Sequence, residues 1–450
     1  MLEGAKQHSG IAQYLQPHIL LAGGLQAIDG LLPGFHQELV RRGGVEVDML
    51  KDVRMFTLGA PLAHGESSIK VVLASRHVYQ STIQDEVLSR KAPWLDARDS
   101  TRVTGLTWSD DKSCVTGVKL GNGEELPADL VIVAAGRTPR LPQWLKAAGY
   151  EEPPVCKVDP HAAYTATFCR CENGPQGWKS CSTFDRTGGL HGAHMVPIEQ
   201  NLYQVNAFGS HDTVPPADKE GFMAFLRELP DQEIYEAMLK AELVTPLKKY
   251  SVAPAFRRHW NKIPMPKGVV AIGDQVQGVN PIFGQGIAAA AQSVVTLNES
   301  FSEAVAYAGD NQDARRAALH GLGPAFHKRL LEVLELPWLS STAEDRKHPS
   351  TKMEGEVSAP PGWLNAYMDA VTEACQHDTK ANEVLLGLFH LLRPPTHFFH
   401  PRLLAGVAQH SLRKASRSPS ALRSSGRTAG RTSARATPAL SAKGLSLVRF

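Results

Sequence analysis

No run of about 18 uncharged apolar residues occurs in this 450-residue chain, so the sequence offers no candidate membrane-spanning helix. The first residues hold neither an apolar segment nor a cleavage pattern, so no secretory signal is read there. Cysteine is scarce, at Cys114, Cys156, Cys169, Cys171, Cys181 and Cys375. Six scattered thiols do not suggest a disulfide scaffold and fit a reducing compartment, the cytoplasm being the expectation. Acidic residues are missing altogether after His410, where nine Lys or Arg stand among Ser, Ala and Thr. That stretch, residues 411–450, cannot build a packed core and is expected to be disordered. The whole chain has a formal net charge of +3, so the part before this tail is net acidic. No specific nucleic-acid partner is expected.

Apolar content of 42% and charged content of 21% are those of a globular protein. The most informative stretch is Gly273-Asp274-Gln275-Val276-Gln277-Gly278-Val279-Asn280-Pro281-Ile282-Phe283-Gly284-Gln285-Gly286-Ile287. An apolar strand, Gly268 to Ile272, precedes it. A helix of small residues, Ala288 to Val295, follows. Asp274 offers a carboxylate to a polyol. The Gly284-Gln285-Gly286 turn lets backbone approach a flat ring. The amides of Gly286 and Ile287 at a helix start favour negative charge. Together they describe a way to hold a flavin.

This stretch resembles the second flavin-contacting motif of the FAD-dependent hydroxylases of the p-hydroxybenzoate hydroxylase type, distant relatives of squalene epoxidases and geranylgeranyl reductases. Further segments carry the resemblance, which runs from about Pro17 to about Pro401. They are Pro17 to Leu25, Leu32 to Phe35, Asp129 to Arg137, Arg140 to Leu145, Met195 to Glu199 and Gly221 to Leu226. Ser75-Arg76 resembles the helix-start arginine that reaches the cofactor in these enzymes; the alternative for Arg76 is a solvated surface residue. Val133 stands where the family usually has Asp. The sequence has no Gly-x-Gly-x-x-Gly, the turn that cradles the FAD pyrophosphate. The expectation is therefore a family fold lacking its first βαβ unit, with weak FAD binding or none.

The resemblance implies a mixed α/β (α+β) chain. Residues 1–150 would be a partial, Rossmann-like FAD-binding domain, 151–260 a substrate-domain sheet and 261–305 the closing strand and helix of the FAD domain. Residues 306–410 would form a helical region. Cofactor-binding candidates are Arg76, Gly273, Asp274, Asn280, Pro281, Gly284, Gln285, Gly286 and Ile287. The implied reaction uses FAD, NADPH or NADH, and O2 to hydroxylate or epoxidise an apolar or aromatic small molecule. Alternatives are a flavin-dependent reductase of polyprenyl double bonds and a noncatalytic remnant of the fold. No acid, base or nucleophile is named.

Local patterns add detail. Residues 18–42 have apolar positions at helical spacing. Residues 101–135 read as a meander turning at Asp110-Asp111 and Gly121-Asn122-Gly123. Strands are expected over 162–168, 192–198, 203–209 and 250–257, and helices over 219–229 and 232–241. Cys169-Arg170-Cys171 with Cys181 invites a zinc reading, but the spacing is not a standard ligand pattern and no metal is expected. The C-terminal apolar helices read as a cap on the lobes, with weak membrane contact as the alternative.

Overall fold

The hydrophobic spacing after Pro17 gives two short helices, α1 (Ala22–Leu31) and α2 (Phe35–Arg41). Gly34, with φ 95°, turns the chain between them. The computed structural model describes residues 16–89, 93–172, 174–175 and 177–416. Strands β1 (Val45–Asp48), β2 (Val53–Thr57), β3 (Ala60–Pro61) and β4 (Lys70–Leu73) follow, then α3 (Arg76–Ser89). β1 and β4 pair antiparallel. The predicted meander is β5 (Val103–Trp108), β6 (Val115–Leu120) and β7 (Glu125–Pro127), an antiparallel three-stranded sheet. β8 (Val131–Val133) and α4 (Arg140–Ala147) complete this part.

The middle of the chain is strand-rich. It holds β9 (Val155–Asp159), β10 (Ala163–Arg170), β11 (Ser180–Asp185), β12 (His191–Ile198) and β13 (Leu202–Gly209). Helices α5 (Lys219–Glu228) and α6 (Glu233–Leu239) lead to β14 (Glu242–Leu243), β15 (Lys248–Ser251) and β16 (Ala255–Arg258). The single strand expected over 250–257 is thus two strands in different sheets, β15 on β10 and β16 on β9. Pro254 lies between them and has no N–H for a ladder. The main sheet runs β14-β10-β13-β12-β11-β2-β3, with β15 also on β10. β2 joins β11 in parallel, so residues 53–57 complete the sheet formed mostly by 163–251.

Next come β17 (Val269–Ala271), β18 (Gln277–Gly278) and the long helix α7 (Gly286–Ala308). β17 pairs in parallel with β8. Among the described residues no strand pairs with its other edge. There the Ala271 N–H donates to His327 Nε2 at 3.0 Å, and a Cβ on Gly323 would lie 3.3 Å from the Val269 carbonyl oxygen. Burial holds His327 down at about 4, so the ring stays neutral and can accept. His327 and Gly323 belong to α9 (Leu322–Val333), which follows α8 (Gln312–His320). α1 crosses α7 closely: a Cβ on Gly24 would lie 2.6 Å from Ala288 Cα.

The rest is mainly helical: α10 (Glu335–Thr342), α11 (Gly362–Cys375), α12 (Thr379–Phe389) and α13 (Pro401–Ser416). One short strand intervenes, β19 (Lys352–Glu354), on the edge of β9. The chain divides at His410 into two units. Of the second, residues 411–416 continue α13, and the rest of the expected disordered tail lies outside the described residues. No described helix is long and apolar enough to cross a membrane.

Candidate flavin site and the sheet beside it

Two turns meet where β8 and β17 end. Gly273 takes φ 56° and starts the 3-10 turn Gly273–Gln275. Gln275 is fully buried, and its Nε2 donates to the carbonyls of Gly136 and Thr138. That clamps the turn after β8 to the turn after β17. Arg258 braces the same place: Nη1 donates to the carbonyls of Asp274 (3.1 Å) and Gln275 (3.0 Å), and Nη2 to the Arg137 carbonyl (3.0 Å). Trp260 Nε1 adds a bond to the Gln275 carbonyl. The Arg137 and Arg258 guanidinium groups both stack on Phe256, at 5.0 and 4.3 Å from the ring centre.

Asp274 projects from this braced turn. Among the described residues none donates a hydrogen bond to its carboxylate. Burial pushes its carboxyl up, while the charges of Arg137, Arg76 and Arg258 pull it back down. The predicted Arg76 is thus in the field of the predicted Asp274. His18 shares it: burial first and Arg76 second lower it to about 4. Arg76 opens α3, and a carboxylate from the main sheet fixes that opening. Glu199, just past β12 and buried, accepts from Ser75 N–H at 2.9 Å and from Ser75 Oγ at 2.5 Å.

The loop leading to α7 uses its polar side chains for its own shape. Asn280 Oδ1 accepts from Ile282 N–H at 3.1 Å and caps the short turn Pro281–Phe283. Its Nδ2 donates to Asp345 Oδ2 at 2.9 Å. Gly284 ends the turn at φ 67°. Gln285 points away into α10, where its amide exchanges hydrogen bonds with Ser340 Oγ. No side chain caps the N-terminus of α7, and its first turn holds no acidic residue. A Cβ on Gly273 or on Gly286 would meet no atom within 4 Å. Burial pushes Asp345 up to about 7, with the Asn280 bond opposing.

These features fit the ribityl and ring end of a flavin. A half-buried carboxylate precedes the loop, open space lies over two glycines, and uncapped amides begin a helix. Asp274 would hold a polyol, while Gly286 and Ile287 would offer amides. Asn280, Pro281 and Gln285 sit beside them as shapers of the loop. For the adenosine end, no Gly-x-Gly-x-x-Gly turn exists in the sequence.

The main sheet presents two faces, because side chains alternate along each strand. One face, with Cys169, Cys181, Met195 and Val205, packs on Phe222, Leu226 and Ile234 of α5 and α6. Cys169 Sγ touches Met238 Sδ at 3.8 Å. Among the described residues no group of His, Cys, Asp or Glu is arranged to hold a metal. The other face carries Tyr164, Phe208 and Phe184 in one cross-strand row with Gly192, and packs on Ile282 and Phe283 of the loop. The next row is Ser182, His194 and Asn206. The sequence reading missed Gln275, Arg258, Glu199 and this row. An arginine pair ahead of a glycine-rich strand was visible in the sequence, but nothing local indicated its target.

The comparisons agree with this geometry at the level of fold. No family model matches the chain. Protein Rv3254 of Mycobacterium tuberculosis is 28% identical over 303 residues, 63% of this chain and 62% of that protein's length. The match thus spans less than two thirds of that relative. Among solved structures, the flavin-dependent brominase Bmp2 superposes with a TM-score of 0.60 at 13% identity, covering 91% of this chain and 92% of its own. A flavoprotein/dehydrogenase from Cytophaga hutchinsonii gives 0.60 at 14% identity, with the same coverage. PqsL, a probable FAD-dependent monooxygenase from Pseudomonas aeruginosa, gives 0.52 at 18% identity, covering 75% of this chain and 89% of its own. The chain shares the fold of these flavoprotein structures, mixed α/β as the motifs implied.

Proposed function

We propose that this chain is an FAD-dependent oxidoreductase, and specifically an NADPH- or NADH- and O2-dependent monooxygenase acting on an apolar or aromatic small molecule. The observation that carries the reading is the Asp274 carboxylate, half-buried and in the field of Arg137, Arg76 and Arg258 at the turn that precedes α7. A carboxylate beside the open space over Gly273 and Gly286 suits a ligand rich in hydroxyl donors, and a ribityl chain is one. The likeness to flavin-dependent enzymes supports the choice.

When bound, FAD supplies the passage of electrons from a nicotinamide donor to oxygen. The chain's own residues do the remaining work. Asp274 accepts from the polyol and sets its register. Gly286 and Ile287 amides place partial positive charge where the ring gathers electrons. Arg76, locked by Ser75 and Glu199, balances the Asp274 charge. Phe184, Phe208, Tyr164 and Ile282 form an apolar wall that keeps water from the reacting centre.

The test is a titration of the full chain with FAD, followed by flavin absorbance and fluorescence. Saturable binding is expected, weakened at least tenfold by Asp274→Ala. A chain that stays colourless at millimolar FAD, or an affinity unmoved by that substitution, would falsify the assignment. With FAD bound, NADPH or NADH oxidation that requires oxygen separates a monooxygenase from an oxygen-independent double-bond reductase.

A further inference from the structure

Cys169 and Cys171 sit on the side of the main sheet turned away from the flavin loop, and among the described residues they join no group able to hold a metal. The fold gives the two thiols different surroundings. Cys169 lies in β10, opposite Tyr203 of β13 and Leu243 of β14. It is fully buried against α5 and α6, and its Sγ touches Met238 Sδ at 3.8 Å. Cys171 comes one residue after β10 ends and is half-buried against the same apolar cluster. Side chains two residues apart on extended backbone leave on one side, so both thiols reach that cluster. Both are free, and they share a hydrogen bond.

The pair is asymmetric in chemistry as well as in access. The hydrogen bond from Cys169 holds the Cys171 thiol below its ordinary value, with burial opposing. The same bond, and then burial, push Cys169 up. Burial raises the other four thiols, Cys114, Cys156, Cys181 and Cys375. Cys171 is therefore the one cysteine of the six placed to react as a thiolate, the form that oxidants attack. Cys169 is closed to solvent yet in contact with Cys171, where its S–H can resolve what forms there. Extended backbone sets Cα atoms two residues apart at about 6.5 Å, near the upper end of what a disulfide spans. A bridge of that kind is strained, and strained bridges are the readily reduced ones.

We propose that Cys169 and Cys171 form a reversible dithiol–disulfide site that is oxidised by hydrogen peroxide. The Cys171 thiolate attacks the peroxide: an S–O bond forms, the O–O bond breaks, and the hydroxide that leaves takes up the proton Cys171 had released. Sulfur gives up two electrons in this step and the peroxide oxygens gain them. The Cys169 sulfur then attacks the sulfenic acid. The S–S bond forms, the S–O bond breaks, and the Cys169 proton departs with the hydroxyl as water. Two thiols and one hydrogen peroxide thus become one disulfide and two waters. A small thiol such as glutathione reverses the bridge and is itself oxidised to a disulfide. The site does not depend on the flavin assignment and holds whether or not FAD binds.

The experiment treats the reduced full chain with millimolar hydrogen peroxide, removes the excess with catalase, unfolds the protein and labels free thiols with N-ethylmaleimide. Chymotrypsin cuts after Phe168 and leaves both cysteines on one peptide for mass spectrometry. Labelling of Cys169 and Cys171 is expected to fall together, at least tenfold, in a peptide two hydrogens lighter than its reduced form. Dithiothreitol should restore both, while Cys156, Cys181 and Cys375 keep their label throughout. Cys169→Ser should stop the reaction at a sulfenic acid on Cys171 that dimedone captures. Cys171→Ser should protect Cys169, lowering its oxidation at least tenfold. The unaltered chain carries the test if either variant does not fold, as judged by near-ultraviolet circular dichroism. Full labelling of both cysteines after peroxide overturns the proposal. So does oxidation of Cys169 undiminished by Cys171→Ser, or a bridge from Cys171 to a second chain, seen as a dimer in non-reducing electrophoresis.

Discussion

The two faces of the main sheet come from the same alternating strands, yet they are filled by different chemistry. The face toward α5 and α6 is closed: Cys169, Cys181, Ala193, Met195 and Val205 meet Phe222, Leu226 and Met238, with the buried Thr183 hydroxyl among them. The face toward the Asn280–Phe283 loop is equally buried but mixed, with His194 bonded to Ser182 Oγ and Asn206 Oδ1 without a partner among the described residues. Burial alone therefore does not mark a core. Titratable groups follow the same division. Asp345 and His194 lie at or beside the second face, and burial displaces each from its ordinary value.

Substitutions can break this contrast. The largest effect is expected from Phe222→Ala on the closed face. Phe222 is 1% exposed, and its truncation should cost about 3–5 kcal/mol in denaturant unfolding. A loss below 1 kcal/mol would show that this face is not a packed core. Asp345→Asn should act with a pH signature. The folded carboxyl titrates at about 7 against an ordinary 3.8, so the folded state holds a proton that the unfolded state has released. Stability is therefore lost as pH rises from about 4 through 7. The asparagine variant should be roughly 2–4 kcal/mol more stable at pH 8 and no more stable at pH 4. Equal thermal shifts at both values would refute the buried-acid reading.

Gly24→Val tests the crossing that presents the start of α7. A larger side chain there meets Ala288 backbone, and a loss of about 1–3 kcal/mol in thermal unfolding is expected. The smallest effect belongs to the loop-facing side. His194→Phe keeps a ring but removes the buried hydrogen bond to Ser182 Oγ, so stability should fall by about 1 kcal/mol. A severe loss there would mean that His194 is a structural residue and would erase the difference between the faces.

Acid should weaken the fold through its buried histidines. His327 accepts from Ala271 N–H, and His390 Nδ1 accepts from Ala22 N–H at 3.2 Å. Burial lowers both to about 4 from 6.5. Folded-state pKa values below the unfolded ones give stability that is full above 6.5 and is lost as pH falls toward 4. A thermal midpoint that stays flat from pH 7 to pH 4.5 would contradict this.

Much of the fold was legible because its signals are local. Helical spacing marked α1, α5 and α6. Asn122-Gly123 marked a meander turn, and the Gly273 to Ile287 run marked a strand, a turn and a helix. β11 escaped notice, since Ser180-Cys181-Ser182-Thr183 alternates small polar residues with a thiol and shows no apolar period. The candidate site was legible at Asp274, Gly284 and Gly286, where residue type and backbone conformation coincide. It was not legible at Gln275, whose amide bonds lie 137 and 139 residues away in the chain, or at Glu199, which reaches Ser75 across 124 residues.

By itself, then, the sequence determined where the chain turns, where it coils, and which short run places a carboxylate ahead of a glycine-framed helix start. These follow from the φ/ψ preferences of a few neighbouring residues. Only tertiary structure decided that β2 would join β11, that His327 would serve the free edge of β17, that three arginines would face Asp274, and that Ser182, His194 and Asn206 would align across three strands. Such pairings depend on strand register and on the direction of approach of distant segments. Side-chain periodicity records which positions are buried, but not which of them will meet.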